Sequence, residues 1–412
     1  MHILLIHQAF VTISEPGGTR HHELAKALVQ KGHTITIIAS AVSYLTGQTG
    51  KEKTSWKTIE TLEQGITLIR VYTYPALHRS FVHRVISFFS FMLTSFIAGL
   101  GVKGVDLIWG TSPPIFQGFT AWLAARLKRA VFVFEVRDLW PAFAIAVGVL
   151  KNPALIRLSL WLESFLYSQA DTVIVNSPGY IEHVRLKGAK QIELIPNATD
   201  PDMFVDRGLK SAFDWGEDLE GKFICLYAGA HGLSNDLEVI LDSANTLKKN
   251  RDIVFIMVGD GKEKPALQQK AREFDLKNVI FLPPVPKEQM MGVITGSDAC
   301  IAILKPIELY KTTYPNKVFD YMAAEKPVIL AIDGVIREVI ENANAGIFVP
   351  PGDSVRMAEA ILYLKNNPQE AVKMGMNGRK YVIENFNRAF ISDQLEEVFC
   401  DTMEASRKKV EG

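Results

Sequence analysis

Short unbroken apolar runs alternate along this chain with longer stretches in which apolar residues recur every three or four positions. The runs fit strands covered on both faces, and the wider spacing fits helices with one apolar side. In the first half the runs predict strands at 3–7, 34–39, 66–71, 106–109, 131–135, 172–175 and 192–195. In the second half they predict strands at 223–227, 253–258, 279–282, 299–304, 327–331 and 346–349. Strands alternating with helices imply parallel sheets joined by right-handed crossovers. Two such series in one chain imply an α/β protein of two doubly wound, Rossmann-like domains.

The stretch 196–204, Pro-Asn-Ala-Thr-Asp-Pro-Asp-Met-Phe, is dense in residues that break regular structure and marks the boundary. The expected division is 1–197 and 198–385, with a terminal helix over 386–412. A length of 412 residues suits this, being too long for one ordinary core. Lys and Arg (45) balance Asp and Glu (45), so no basic field exists to hold nucleic acid. Cys225, Cys300 and Cys400 are widely spaced and suggest neither a disulfide framework nor a metal cluster. The first residues, MHILLIH, lack the basic start of a secretory signal. A cytoplasmic location is the expectation.

Residues 85–102 carry no charge and by length would just span a bilayer. Ser87, Ser90, Thr94 and Ser95 dilute the run, and strands of one domain flank it on both sides. His78, Arg79, His83 and Arg84 precede it, which suits a helix lying at an anionic lipid surface. A buried core helix, an interfacial helix and a true span are all open readings. Peripheral attachment to the inner face of a membrane through about 80–102 is the partner expectation.

Several turns could hold an anion. Gly17 and Gly18 follow the first strand and open a helix, where backbone can approach a ligand closely. Arg20 could add a phosphate contact, and a plain tight turn fits equally well. The spacing is not Gly-x-Gly-x-x-Gly, so a dinucleotide fingerprint is absent. Gly229 sits in a second glycine turn, Tyr-Ala-Gly-Ala-His-Gly, after the first strand of the second half. In Tyr314-Pro315-Asn316-Lys317-Val318-Phe319-Asp320-Tyr321-Met322, Lys317 and Asp320 share the first turns of one helix, with Pro315 at its first position. Its N-terminus suits phosphate and its carboxylate suits sugar hydroxyls, although a packed helix with a surface Lys–Asp pair is the plainer reading. Asp200-Pro201-Asp202 falls in the linker, the nine histidines show no metal-ligand spacing, and no metal site is expected.

The Tyr314–Met322 phrase resembles the nucleotide-sugar motif of family 4 glycosyltransferases. Glu135-Val136-Arg137-Asp138-Leu139-Trp140-Pro141 is similar to a phrase of that family's bacterial surface-polysaccharide branch, which includes N-acetylfucosamine-transferase-like enzymes. The resemblance implies the GT-B fold, two Rossmann-like domains facing a cleft, with the last helix crossing back onto the first. It implies a retaining, metal-free transferase that needs no cofactor beyond its substrates, a nucleotide-sugar donor and a saccharide or lipid-linked acceptor. The expected donor is a UDP-linked N-acetylated hexose. By resemblance Asp320 meets the donor ribose, Lys317, Asn316 and Lys262 meet the diphosphate, and Val285 lies against the base. Asp138, with Arg137 as electrostatic partner, would position the acceptor or handle its proton, and His231 would reach phosphate or sugar. Many relatives carry an acidic residue eight positions before the ribose ligand. Thr312 stands there, so Thr312, Thr313 and Tyr314 are weaker donor candidates, and Glu325 replaces a usual glycine. A non-catalytic nucleotide-sugar-binding subunit and a nucleotide-sugar epimerase are the alternatives.

Overall fold

The chain divides into two units, one of 1–12, 18–196 and 389–412, the other of 13–17 and 197–388. The structure, a computed structural model, describes residues 1–43, 56–75, 81–204 and 219–411. His78 and Arg79 lie outside the described residues.

The first unit holds strands β1 (His2–Ile6), β2 (Thr34–Ser40), β3 (Lys57–Glu63), β4 (Ile66–Val71), β5 (Leu107–Ser112), β6 (Val131–Val136), β7 (Thr172–Val175) and β8 (Ile192–Leu194). Their order is β3-β4-β2-β1-β5-β6-β7-β8. All neighbours pair parallel except β3, which runs antiparallel to β4. The sequence reading missed β3 because an edge strand is half solvated: Lys-Thr-Ile-Glu-Thr-Leu-Glu carries no apolar run. Gly65, at φ +94, turns the chain back into β4.

The second unit holds β9 (Phe223–Ala228), β10 (Ile253–Val258), β11 (Val279–Leu282), β12 (Ala299–Ile303), β13 (Val328–Ala331) and β14 (Gly346–Phe348). They form an all-parallel sheet in the order β11-β10-β9-β12-β13-β14. Its core is continuous from Tyr227 and Phe255 through Ile301 and Ile329 to Met357 and Ile361.

In the first unit the connection from β1 steps one way along the sheet, while those leaving β4, β5 and β6 step the other. Right-handed crossovers therefore put helix Arg20–Gln30 on one face. Helices Phe81–Gly101, Phe116–Lys128 and Pro153–Gln169 lie on the other. Helix Phe81–Gly101 lays one side on the sheet: Phe91, Ser95 and Ala98 are buried, and a Cβ on Gly99 would sit 3.5 Å from Ile38. It is thus a surface helix of this unit, and a buried core helix is not what the structure shows. The terminal helix Arg388–Glu411 joins the first unit, where Lys31 pairs with Glu396 at 2.6 Å and Phe399 packs on Trp109.

Candidate functional site

Ligands of open parallel sheets bind beyond the carboxyl ends of strands where the strand order reverses. In the second unit that point lies between β9 and β12. Gly229 leaves β9 with φ +148 and Gly259 leaves β10 with φ +142. A Cβ on Gly259 would stand 1.9 Å from the Gly229 carbonyl oxygen, so only glycine fits. The His231 amide donates to the Asp260 carbonyl at 2.8 Å, and the Glu263 amide to the His231 carbonyl at 2.9 Å. The two turns therefore interlock into one shelf of backbone.

Lys317 reaches over this shelf from the first turn of helix Asn316–Ala323. Its Nζ lies 4.1 Å from the Tyr227 ring centroid, and a Cβ on Gly229 would meet it at 2.5 Å. Among the described residues no carboxylate pairs with it. Burial pulls this amine down to about 7. An amine held so, beside close-packed glycine turns and at a helix N-terminus, is suited to a diphosphate, whose charge would keep it protonated. Pro315 caps the helix rather than opening it, and the Asn316 Oδ1 is buried without a hydrogen-bond partner among the described residues.

Other expected donor residues have different occupations. His231 is wholly buried and its ring nitrogens make no well-formed hydrogen bond to a described residue, so it underlies the shelf instead of reaching a ligand. Burial first, then Lys264 and Lys317, holds its imidazole down at about 4. Asp320 is buried, accepting from the Thr199 hydroxyl at 2.7 Å and pairing with Lys287 Nζ at 2.6 Å. It thus ties residues 197–204 and helix Lys287–Thr295 to helix Asn316–Ala323, with lone pairs still spare for a further donor. Replacing Lys287 by methionine should destabilise the protein by about 3 kcal/mol, because it strands a buried carboxylate. Urea denaturation measures this, and a cost below about 1 kcal/mol would refute the tie.

The Tyr314 ring packs edge-on against Phe319 and Phe386, and its carbonyl accepts from the Asn197 amide at 2.7 Å, so this side chain belongs to packing. The Thr312 hydroxyl donates to the Leu309 carbonyl at 2.6 Å, and Thr313 ends that turn. Lys262 is exposed just after the Gly259–Gly261 turn, and Val285 is half-buried in the loop after β11. Glu325, at the usual glycine position, adopts φ +57, the left-handed conformation that explains why glycine would suit it.

In the first unit the order reverses between β1 and β5. Gly18 leads toward helix Arg20–Gln30, while Gly17 is grouped with the second unit. Arg20 is buried and fully engaged: Nε pairs with Glu135 at 2.9 Å, Nη1 donates to the Pro196 carbonyl and Nη2 to that of Ile195, each at 2.7 Å. The phosphate contact expected of it is corrected accordingly; this guanidinium braces the sheet. His21 Nε2 meets the other Glu135 oxygen at 2.6 Å. Burial alone would raise the Glu135 pKa, but His21 and Arg20 overcome it and keep the carboxylate ionised. Burial holds His21 near 4 despite Glu135, so the ring is neutral and donates its Nε2 proton. The buried His7 ring lies 4.3 Å from that of His21, centroid to centroid, and neither of its nitrogens is hydrogen-bonded to a described residue.

Arg137 does not pair with Asp138. Its guanidinium donates to the carbonyls of Ser112, at 3.3 Å, and Pro113, at 3.2 Å. The Asp138 carboxylate has no partner among the described residues, and burial, opposed by Arg137, raises it to about 6. Such a group is ionised at neutral pH yet basic enough to take a proton. Sequence reasoning missed Lys287, Glu135, His21 and His7 as members of these sites. The signal for Glu135 was present, since a charge ending an apolar strand needs a buried partner.

Residues 17–198 match the family model "Glycosyl transferase 4-like domain", and residues 211–381 match "Glycosyl transferases group 1". The chain is a glycosyltransferase. It belongs to the family 4 type with the GT-B fold. Over 311 residues it is 23% identical to WcaI of Escherichia coli strain K12, a glycosyl transferase assigned to colanic acid biosynthesis, covering 73% of this chain and 76% of that one. Sucrose-phosphate synthase from Thermosynechococcus elongatus superposes with a TM-score of 0.80 at 19% identity, covering 98% of this chain and 99% of that one. HepE of Anabaena, solved with UDP-glucose, gives 0.72 at 16% identity, covering 97% of this chain and all of that one (100%).

Proposed function

We propose that this enzyme moves a sugar, an N-acetylated hexose, from a UDP-linked donor to a saccharide or lipid-linked acceptor in bacterial surface-polysaccharide synthesis. Anomeric configuration is retained and no metal takes part. The observation that carries the reading is Lys317, an amine without a counter-charge above the interlocked glycine shelf. The HepE complex with UDP-glucose and the naming of WcaI support the donor and the pathway class.

In this reading the diphosphate lies on the shelf, with Lys317 and the N-terminus of helix Asn316–Ala323 opposing its charge. Charge grows on the bridging oxygen as the sugar–phosphate bond breaks, and the same groups stabilise it. The acceptor oxygen forms the new bond to the anomeric carbon. Asp138 orients that hydroxyl or receives its proton, and Lys262 adds a mobile cation at the shelf's rim.

Isothermal titration with UDP, GDP and NAD in EDTA tests the donor. Selective UDP binding is the expected result. Binding of NAD alone would overturn the proposal, and binding of GDP alone would replace the donor.

A further inference from the structure

Transfer chemistry leaves the outer side of helix Phe81–Gly101 unexplained. Val82, Ile86, Phe89, Leu93, Ile97 and Leu100 recur at steps of three and four, and each is 41–62% exposed. They lie opposite the buried Phe91, Ser95 and Ala98, so the stripe points directly away from the sheet. Only 28% of the window 82–101 is buried, although its mean hydropathy is 1.5.

The stripe does not end with that helix. Phe88 and Phe89 pack on Phe116 of helix Phe116–Lys128. Trp122 of the same helix packs on Phe165, which stacks with Trp161 of helix Pro153–Gln169. Leu127, Leu155, Leu158 and Trp161 continue the exposed apolar surface. Of the 23 large hydrophobics exposed among the described residues, ten lie on these three helices. A monomeric soluble surface rarely gathers so many.

Exposed charge on and beside these helices is mostly basic. Arg126, Arg129, Lys151 and Arg157 are exposed there. The single acidic side chain on the three helices, Glu163, is fully buried and paired with His183 at 2.7 Å. Asp106 and Asp171, in the loops beyond, accept from the His2 and Phe132 amides at 2.7 Å and 3.0 Å.

We propose that this three-helix face docks on an anionic lipid bilayer, with the stripe in the acyl boundary and the arginines among the headgroups. Charge complementarity selects this occupant: a second copy would bring a basic rim against a basic rim, whereas anionic headgroups match it. The inner side of helix Phe81–Gly101 is fixed to the sheet, so the helix lies in the surface and does not cross it. Trp161 suits the interfacial depth, with an apolar body and a polar N–H. The inference is independent of the donor's identity.

Flotation of the full-length protein tests it. Vesicles of phosphatidylcholine mixed with phosphatidylglycerol should carry the protein upward, and pure phosphatidylcholine should bind at least about tenfold less. Val82→Ser combined with Leu93→Ser should cut partition about a hundredfold while leaving the melting temperature unchanged, since both positions are among the most exposed of the stripe. Should that variant fold poorly, Arg126→Glu with Arg157→Glu gives the same test through charge. Absence of flotation by the unaltered protein, or equal flotation by the variants, would overturn the proposal. So would light scattering that shows a dimer dispersed by the serine pair.

Discussion

Replacing Lys317 by alanine should weaken UDP binding by about a hundredfold near pH 7, on the order of 3 kcal/mol for a lost charge-assisted contact in a partly dry site. The wild-type protein should also show a pH signature that the variant lacks. Free Lys317 titrates at about 7 because burial disfavours its charge. A bound diphosphate favours the charged amine and raises that value, so binding takes up a proton. Affinity should then fall as pH rises above 7, approaching tenfold per unit, and titrations in buffers of different ionisation enthalpy should reveal the uptake. A flat profile in the wild-type protein would remove Lys317 from the diphosphate site. The sign for stability runs the other way. Between about 7 and the ordinary lysine range the unfolded chain binds more protons, so the folded state gains as pH rises through that window. Lys317→Met should therefore stabilise the fold most at and below neutral pH, which thermal melts would register.

Glu135→Gln should destabilise the protein by about 3–5 kcal/mol, the larger structural effect expected anywhere in the molecule. The substitution leaves Arg20 buried at 6% exposure without its counter-charge. The His21 ring keeps an acceptor, so the cost comes chiefly from the guanidinium. Because the Glu135 carboxylate is held well below its ordinary range, its contribution is complete above the unfolded value and fades as pH drops below about 4. Urea denaturation at neutral pH and again at about pH 2.5 should show the difference between wild type and variant shrinking as the carboxylate's contribution is lost. A loss under about 1 kcal/mol at neutral pH would mean that Arg20 finds solvent or another acceptor.

Strands buried on both faces were legible because their apolar runs are local; β10 and β11 were bounded as the structure has them. β3 was not, because half of an edge strand faces water and Lys57–Glu63 alternates threonines and charges with two apolar residues. Glycine turns and Lys317 could be read from the phrase around Asn316. Occupation of the charged groups could not. Arg20 meets Glu135 across 115 positions and Asp320 meets Thr199 across 121, so each partner is fixed by strand order, not by neighbouring sequence. A side chain read as ligand-facing was in both cases already holding the protein to itself. The outer stripe of helix Phe81–Gly101 was visible as composition, but only the packed inner side shows which residues remain open to an outside partner.

Helix Arg388–Glu411 also bears on how the protein is made. Nearly all of the second unit is one uninterrupted run, 197–388, so a ribosome delivers it whole before the last helix appears. The first unit, begun earliest, must wait for that helix to supply Glu396 and Phe399 to Lys31 and Trp109. The order of completion is therefore the reverse of the order of synthesis. A nascent chain that has emerged from the ribosome as far as residue 388 would carry a finished second unit and a first unit whose terminal-helix seat is still empty.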